Sequence, residues 1–437
     1  MKKVWALSFL SISIFVGLSI FMFFNVLTFW NIIGFFLFLS YIFILLINFK
    51  AGLIFYIIVR SYLDSSSKLG INFGVGPENL ASYITVVFII VTVFYLLSKK
   101  MNIFRVKSFR LFCIFIAFCL ISTFHSIKPF LSFVDLLRFV GLLMVALAAY
   151  HVFDRHDVKL LFCIFIGALI LPILFSIGQL ILRSGITDSG FTRIYGTFIH
   201  PNSFAFFLLT IMFFLFVNLI YNRFGVSFFL NILLLLVCSI FLVLTFTRAA
   251  WIGLFIGIFV SAILVREYRT RIIVFLLAFT LLISPLIVKR FADIGQGKTF
   301  GFRTDSWTWR IQTWTNSLPL FYEHPIVGIG VGMFPEVKAV YAHNDYVRLL
   351  VETGLVGCLI YIAFFFYLLI KSFLLFRVTD DLFEKQFALT IFILCIVYLL
   401  ISFSDNLSRS ASILTYFFVL VAFAEKTHIA KDRFLSN

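Results

Sequence analysis

Apolar runs near or above ~18 residues succeed one another along almost the whole chain. That is the length a helix needs to cross a ~30 Å hydrocarbon layer with its backbone hydrogen bonds satisfied internally. The implied solvent is a bilayer, and the implied elements are helices, not the strands of a barrel. Composition agrees: of 437 residues, 62% are hydrophobic and only 12% charged, which lies outside the soluble globular range. Spans are expected at 4–24, 28–48, 51–63, 80–98, 111–127, 130–150, 158–182, 203–221, 226–246, 248–266, 272–288, 349–370, 387–403 and 411–424. The run 51–63 is too short to cross alone, so the count is about 12 to 14. The opening MKKVWALSFLSISIF has the basic start of a secretion signal but no small-residue cleavage site after it, and reads as a retained first span. The fold class expected is an all-α polytopic membrane protein.

The formal charge of +16 is first a topology signal, since Lys and Arg collect in cytoplasmic loops; a nucleic-acid partner is not needed to explain it. Alternating the connections puts Lys2/Lys3, Lys99, Lys100, Arg105, Lys107, Arg110, Arg223, Arg266, Arg269, Arg271, Lys371 and Arg377 on one face, with both termini. The opposite face receives 64–79, 183–202, the tip at Thr247/Arg248, the segment 289–347 and 404–410. The organisation expected is membrane helices over 1–288, an extracytoplasmic loop domain over 289–347, and further membrane helices with a cytoplasmic tail over 348–437. In the middle segment Trp307, Trp309, Trp314, Pro319, Pro325, Pro335, Gly328, Gly330 and Gly332 sit among charges, and the tryptophans suit the headgroup level. No internal repeat is visible. Cys113, Cys119, Cys163, Cys238, Cys358 and Cys395 lie inside apolar runs without metal-ligand spacing, and read as small core residues.

Arginines on the outer face are informative because orientation does not require them, and placing one near the membrane without a partner costs at least ~2.5 kcal/mol. Arg248 stands in LTFTRAAWIG between two spans, Arg193 in RIYGTFIHPNSFA, and Arg310 in WTWRIQTW. Each has a bland reading: a snorkelling helix end, a loop charge and a guanidinium stacked on tryptophan. Together they make a site for a pyrophosphate, whose oxygens guanidinium groups grip bidentately. In the same region Gly196 permits a tight turn, and Pro201 is suited to open the next helix. His343 begins HNDYVRLLVETGLVG, where the outer segment re-enters the membrane, and histidine is the side chain suited to take a proton near neutral pH. The bland alternative is that His343 caps the helix. His200 is a second candidate base that equally suits orienting its turn; His324 and His125 have weaker cases. Arg348 and Glu352, four apart, read as a structural pair, and Gly354 and Gly357 as sites of close helix packing. GIGVG at 328–332 has no strand, helix or acid to make it a dinucleotide fingerprint and reads as a turn. No acidic pair or His/Asp cluster on the outer face indicates a catalytic metal, and no cofactor is expected.

These motifs resemble the O-antigen ligase and O-antigen polymerase superfamily, the WaaL and Wzy proteins with their shared Wzy_C-type region. The resemblance runs from about residue 190 to 410: RIYGTFIHPNSFA, LTFTRAAWIG, an arginine and tryptophan leading to HPIVGIGVGMF, then AHNDYVRLLVETGLVG and SFSDN, with VRSYLD at 59–64 as a weaker early match. It implies a metal-independent, GT-C-like membrane glycosyltransferase acting at the periplasmic face of the inner membrane on glycans carried by undecaprenyl pyrophosphate. The family's essential histidine falls on His343, its pyrophosphate-binding arginines on Arg248 and Arg310 with Arg193 a companion, and its acidic residue on Asp405. The acceptor is the lipid A core for a ligase or a second lipid-linked glycan for a polymerase, and these motifs do not separate the two. A periplasmic transferase lacks nucleotide sugars, so a lipid-activated donor and cationic stabilisation of its leaving group also suit the residues themselves. The rival from another class is a polysaccharide transporter or flippase, against which stand the single long outer segment and the lack of a repeat. A peptidoglycan polymerase of the RodA kind would use the same carrier but would lack the HPNSFA and HNDYVRLLVETG pair.

Overall fold

Long apolar helices lie where the hydropathy put them. A computed structural model describes residues 29–64, 80–101, 105–188, 191–221, 228–270 and 306–435, with helical positions at 272–274, 276–277, 280, 284 and 288. The expected span 4–24, most of the connection 64–79, and residues 289–305 lie outside the described residues. The helices are α1 (Phe29–Ile47), α2 (Phe49–Arg60), α3 (Leu80–Ser98), α4 (Lys107–Phe124), α5 (Pro129–Val152), α6 (Val158–Ile181), α7 (Pro201–Tyr221), α8 (Phe228–Leu244) and α9 (Arg248–Leu264). They continue with the short α10 (Ser306–Thr315), α11 (Leu318–Glu323) and α12 (Phe334–Lys338), and then α13 (Asp345–Val378), α14 (Leu382–Ser402) and α15 (Ala411–Leu435). Seven helices among the described residues are long and apolar enough to cross a membrane, and the chain is an all-α polytopic membrane protein. The sheet structure among the described residues is a small antiparallel hairpin, β1 (Ile186–Asp188) with β2 (Phe191–Arg193), where Ile186 pairs with Arg193.

Local chemistry sets the helix ends. Proline opens α5 and α7 at Pro129 and Pro201, where its missing N–H is an orphan in any case. Asn48, Asn344 and Asp381 cap α2, α13 and α14 by accepting first-turn backbone N–H groups. The centre of the bundle is α7, α14 and α15. Its packing is largely phenylalanine on phenylalanine: Phe364 on Phe418 at 5.8 Å, Phe387 on Phe423 at 5.5 Å, and Phe112 against Phe418 at 4.7 Å. The cysteines of the described chain are all free; four are buried, whereas Cys163 is exposed on the outside of α6 and is not a core residue.

Polar contacts identify the two ends of the bundle. At one end Lys50 pairs with Asp157 (2.8 Å), Arg155 with Asp381 (2.9 Å) and Lys426 with Asp154 (3.2 Å), which gathers the start of α2, the α5–α6 connection, the start of α14 and the α15 tail. At the other, Thr197 donates to the Ser61 carbonyl (2.7 Å), Ser412 to Asp64 (2.6 Å) and Asn202 to Asp405 (2.6 Å).

α13 departs from the expected single span. Gly354 has φ 66° and ψ −174°, so residues 345–353 form a separate buried helical piece and the long segment starts after it. The break frees carbonyls for the preceding loop: Ile329 N–H donates to Val351 O and Gly330 N–H to Glu352 O, both at 3.0 Å, and Leu355 N–H to Pro325 O at 2.8 Å. A Cβ on Gly354 would lie 2.2 Å from the Ile326 carbonyl oxygen. Its role is backbone conformation, not the close helix packing expected; Gly357, which faces Phe118 of α4, does serve packing. GIGVG is a turn as read, with φ of 69°, 108° and 76° at its glycines.

Candidate active site

Arg193 ends β2 and is 7% exposed. Its Nε donates to the Thr245 carbonyl (2.9 Å), and its Nη2 to Asn202 Oδ1 (2.7 Å) and Thr247 Oγ1 (3.2 Å). The loop behind it is gripped by Gln179 of α6, whose Oε1 accepts the N–H groups of Tyr195 and Gly196 and whose amide donates to the Gly196 carbonyl. Gly196 takes φ 56° there, and a Cβ would stand 2.8 Å from the Pro172 carbonyl. Arg193 is therefore a buried, fully oriented cation rather than a loop charge.

Arg248 is the first residue of α9 and follows Thr247, so it opens a helix directly beside the Arg193 network. A helix start adds partial positive charge and free N–H groups at the same point. Arg310, on α10, donates from Nη1 to the Ser404 carbonyl (2.9 Å) instead of stacking on a tryptophan, and its buried Nε has no hydrogen-bond partner.

His343 precedes the cap of α13 at φ 48°. Asn344, not His343, caps that helix by accepting Val347 N–H at 3.0 Å, so the capping alternative does not apply. The imidazole stands edge-on to Trp309 with ring centres 5.8 Å apart, and its Nδ1 lies 3.8 Å from Asp405 Oδ1. That separation is an electrostatic contact and too long for a hydrogen bond. Asp405 accepts the Asn202 amide on Oδ2 (2.6 Å) and the Asn406 backbone N–H on Oδ1 (2.8 Å). Burial alone would raise this carboxyl, but the facing His343 and these two donors outweigh it and hold it at about 2.

Four of the five expected site residues are thus joined through direct contacts, Arg193 through Asn202 to Asp405, with His343 and Arg310 on the 404–405 turn, while Arg248 adjoins them through Thr247. His200 lies at the same helix opening, where its Nδ1 accepts the Asn202 backbone N–H (3.2 Å). His324 and His125 end α11 and α4. Arg348 is buried with Glu352 (3.2 Å), Asp345 (3.5 Å) and Ser408, and Asp345 also holds Ser402 (3.0 Å) and the Ser408 N–H (2.9 Å). This cluster clips the 403–410 turn to the start of α13. Asn202 and Thr247 were not singled out from the sequence; their only signal was membership of the HPNSFA and FTRAA motifs. Among the described residues no group of three or more His, Cys, Asp or Glu gathers as metal ligands would.

No curated protein matches the chain. Residues 232–362 match the family model described as O-antigen ligase. The matched stretch holds Arg248, Arg310 and His343, whereas Arg193 and Asp405 lie on either side of it and join them only by folding. This match supports a place for the chain in the O-antigen ligase and polymerase superfamily.

Proposed function

We propose that the chain is a metal-independent glycosyltransferase of the inner membrane, acting in lipopolysaccharide or other surface-polysaccharide biosynthesis. It moves a glycan from undecaprenyl pyrophosphate to an acceptor sugar at the periplasmic face, the acceptor being the lipid A core or a second lipid-linked glycan. The observation that carries this reading is the pairing of a cation cluster with a His–Asp pair at one end of the bundle, inside and around the matched region. The guanidinium groups of Arg193, Arg248 and Arg310 gather at the end that holds Asp405, and guanidinium groups suit the oxygens of a pyrophosphate diester.

In this mechanism the acceptor hydroxyl gives its proton to His343 Nε2 while its oxygen bonds to the donor's anomeric carbon. The bond from that carbon to the pyrophosphate oxygen breaks, and the electron pair leaves with the lipid pyrophosphate, whose charge Arg193, Arg248 and Arg310 receive. Asp405, facing Nδ1, orients the ring and stabilises the imidazolium.

The test is transfer by purified protein in detergent, with lipid-linked glycan as donor and either lipid A core or a second lipid-linked glycan as acceptor. Transfer that persists in EDTA is expected. A protein that only moves the glycan between leaflets of a vesicle, with no new glycosidic bond in detergent, is a transporter; strict dependence on a divalent ion removes the arginine-only account.

A further inference from the structure

Arg193 and Asp405 carry opposite charges at the centre of the site, and one neutral side chain stands between them. Asn202 accepts Arg193 Nη2–H (2.7 Å) and the Thr247 hydroxyl (3.3 Å) on Oδ1, and donates from Nδ2 to Asp405 Oδ2 (2.6 Å). Its backbone is fixed independently, at the second position of α7, where its N–H donates to His200 Nδ1. The acceptor end of the amide meets the cation and the donor end meets the anion, an orientation set by the fixed opposite polarity of its two heads. Without such an intermediary, a guanidinium and a carboxylate in this buried setting would close on each other as a bidentate pair.

We infer that Asn202 is a positioning residue that keeps Arg193 and Asp405 apart, so that the arginine retains its charge for the donor's pyrophosphate and the carboxylate keeps its face toward His343. The inference rests on the transferase reading above. Collapse of the two would damage both halves of the site at once: Arg193 would be neutralised against phosphate, and Asp405 would turn from Nδ1.

The experiment measures binding of undecaprenyl pyrophosphate to purified full-length protein in detergent, alongside transfer kinetics and thermal stability. Asn202→Ala is expected to weaken binding roughly 10- to 100-fold, the scale of one lost charge-assisted contact, and to lower kcat as well. Adding Asp405→Asn should restore binding to near the wild-type value, because the collapsing carboxylate is gone, while kcat stays low because His343 has lost its orienting charge. Asn202→Asp preserves volume at the site and places its own carboxylate on Arg193; its binding should fall and should not recover with Asp405→Asn. Wild-type affinity in Asn202→Ala, or a double variant no better than the single, overturns the inference. A residue that merely shapes the helix opening would not be rescued by removing a charge elsewhere. If wild-type protein binds no undecaprenyl pyrophosphate, the transferase reading itself fails, an outcome distinct from failure of the rescue.

Discussion

His343 holds a left-handed backbone conformation, φ 48°, which is uncommon outside glycine and in which asparagine, aspartate and histidine are the enriched residues. Asparagine tolerates the same conformation, so His343→Asn preserves the backbone and removes only the imidazole. If the ring takes the acceptor's proton, both His343→Ala and His343→Asn should slow transfer by roughly 10²–10⁴-fold with donor binding retained. Wild-type turnover by the Asn variant would reject the catalytic role. For the cations, Arg248→Ala should lose most transfer while still inserting, and Arg248→Lys should recover only part, because an ammonium does not reproduce bidentate contacts; full activity in the alanine variant would remove Arg248 from the site. The Asp405 carboxyl is lowered from its ordinary 3.8 to about 2. A depressed carboxylate contributes stability that is present above the unfolded value and lost as pH falls through the folded one, here between about 4 and 2. Asp405 therefore stays ionised wherever transfer is measured near neutrality, and a pH limb seen there does not come from it. Asp405→Asn should slow transfer by roughly 10²-fold or more through the loss of ring orientation.

The break at Gly354 converts what hydropathy reads as one helix into a short buried helical piece and a membrane helix, and the loop 326–330 bonds to the carbonyls it frees. Gly354→Ala requires an L-residue at φ 66° with its Cβ 2.2 Å from a carbonyl oxygen. A loss of roughly 1–3 kcal/mol from the backbone strain alone is expected, read as a lower thermal midpoint in detergent. Behind this break, Arg348 lies between Asp345 and Glu352 with all three buried. Arg348→Leu leaves two uncompensated carboxylates and should destabilise by about 3–5 kcal/mol. A variant with unchanged melting and abolished transfer would mean that Arg348 belongs to the chemistry instead.

Across the whole molecule, contacts at the two ends agree with the alternation of the basic loops: Lys50, Asp157 and Asp381 meet at one end, and Asp64, Asn202 and Asp405 at the other. In the proposed topology the first end is the cytoplasmic one, as the positive-inside rule expects. Cysteines introduced at Lys100 and at Tyr322, the latter 70% exposed, should label from opposite sides with an impermeant reagent. Labelling of both from one side would invalidate the periplasmic assignment of the site and the donor chemistry argued from it.

The spans were legible because a membrane helix is specified by local information: a length set by the bilayer and a lack of charge, both readable in a window of the chain. α3 at Leu80–Ser98 coincides with its expected run, and Pro201 opens its helix as its missing N–H suggests. Arg193, Arg248, Arg310 and His343 were legible as misfits, polar groups where orientation and hydropathy do not call for them. The contacts that gather those residues into one candidate site were not legible. Asn202 and Asp405 are 203 positions apart, and Arg193 and Arg310 are oriented by backbone carbonyls of Thr245 and Ser404 that carry no sequence signature. Pairing between distant polar groups depends on which helix ends the packing of α7, α14 and α15 brings together, and only the tertiary structure decides that. The sign of φ at Gly354 was hidden for a related reason: glycine permits both close packing and a left-handed backbone, and the loop that packs against it selects between them.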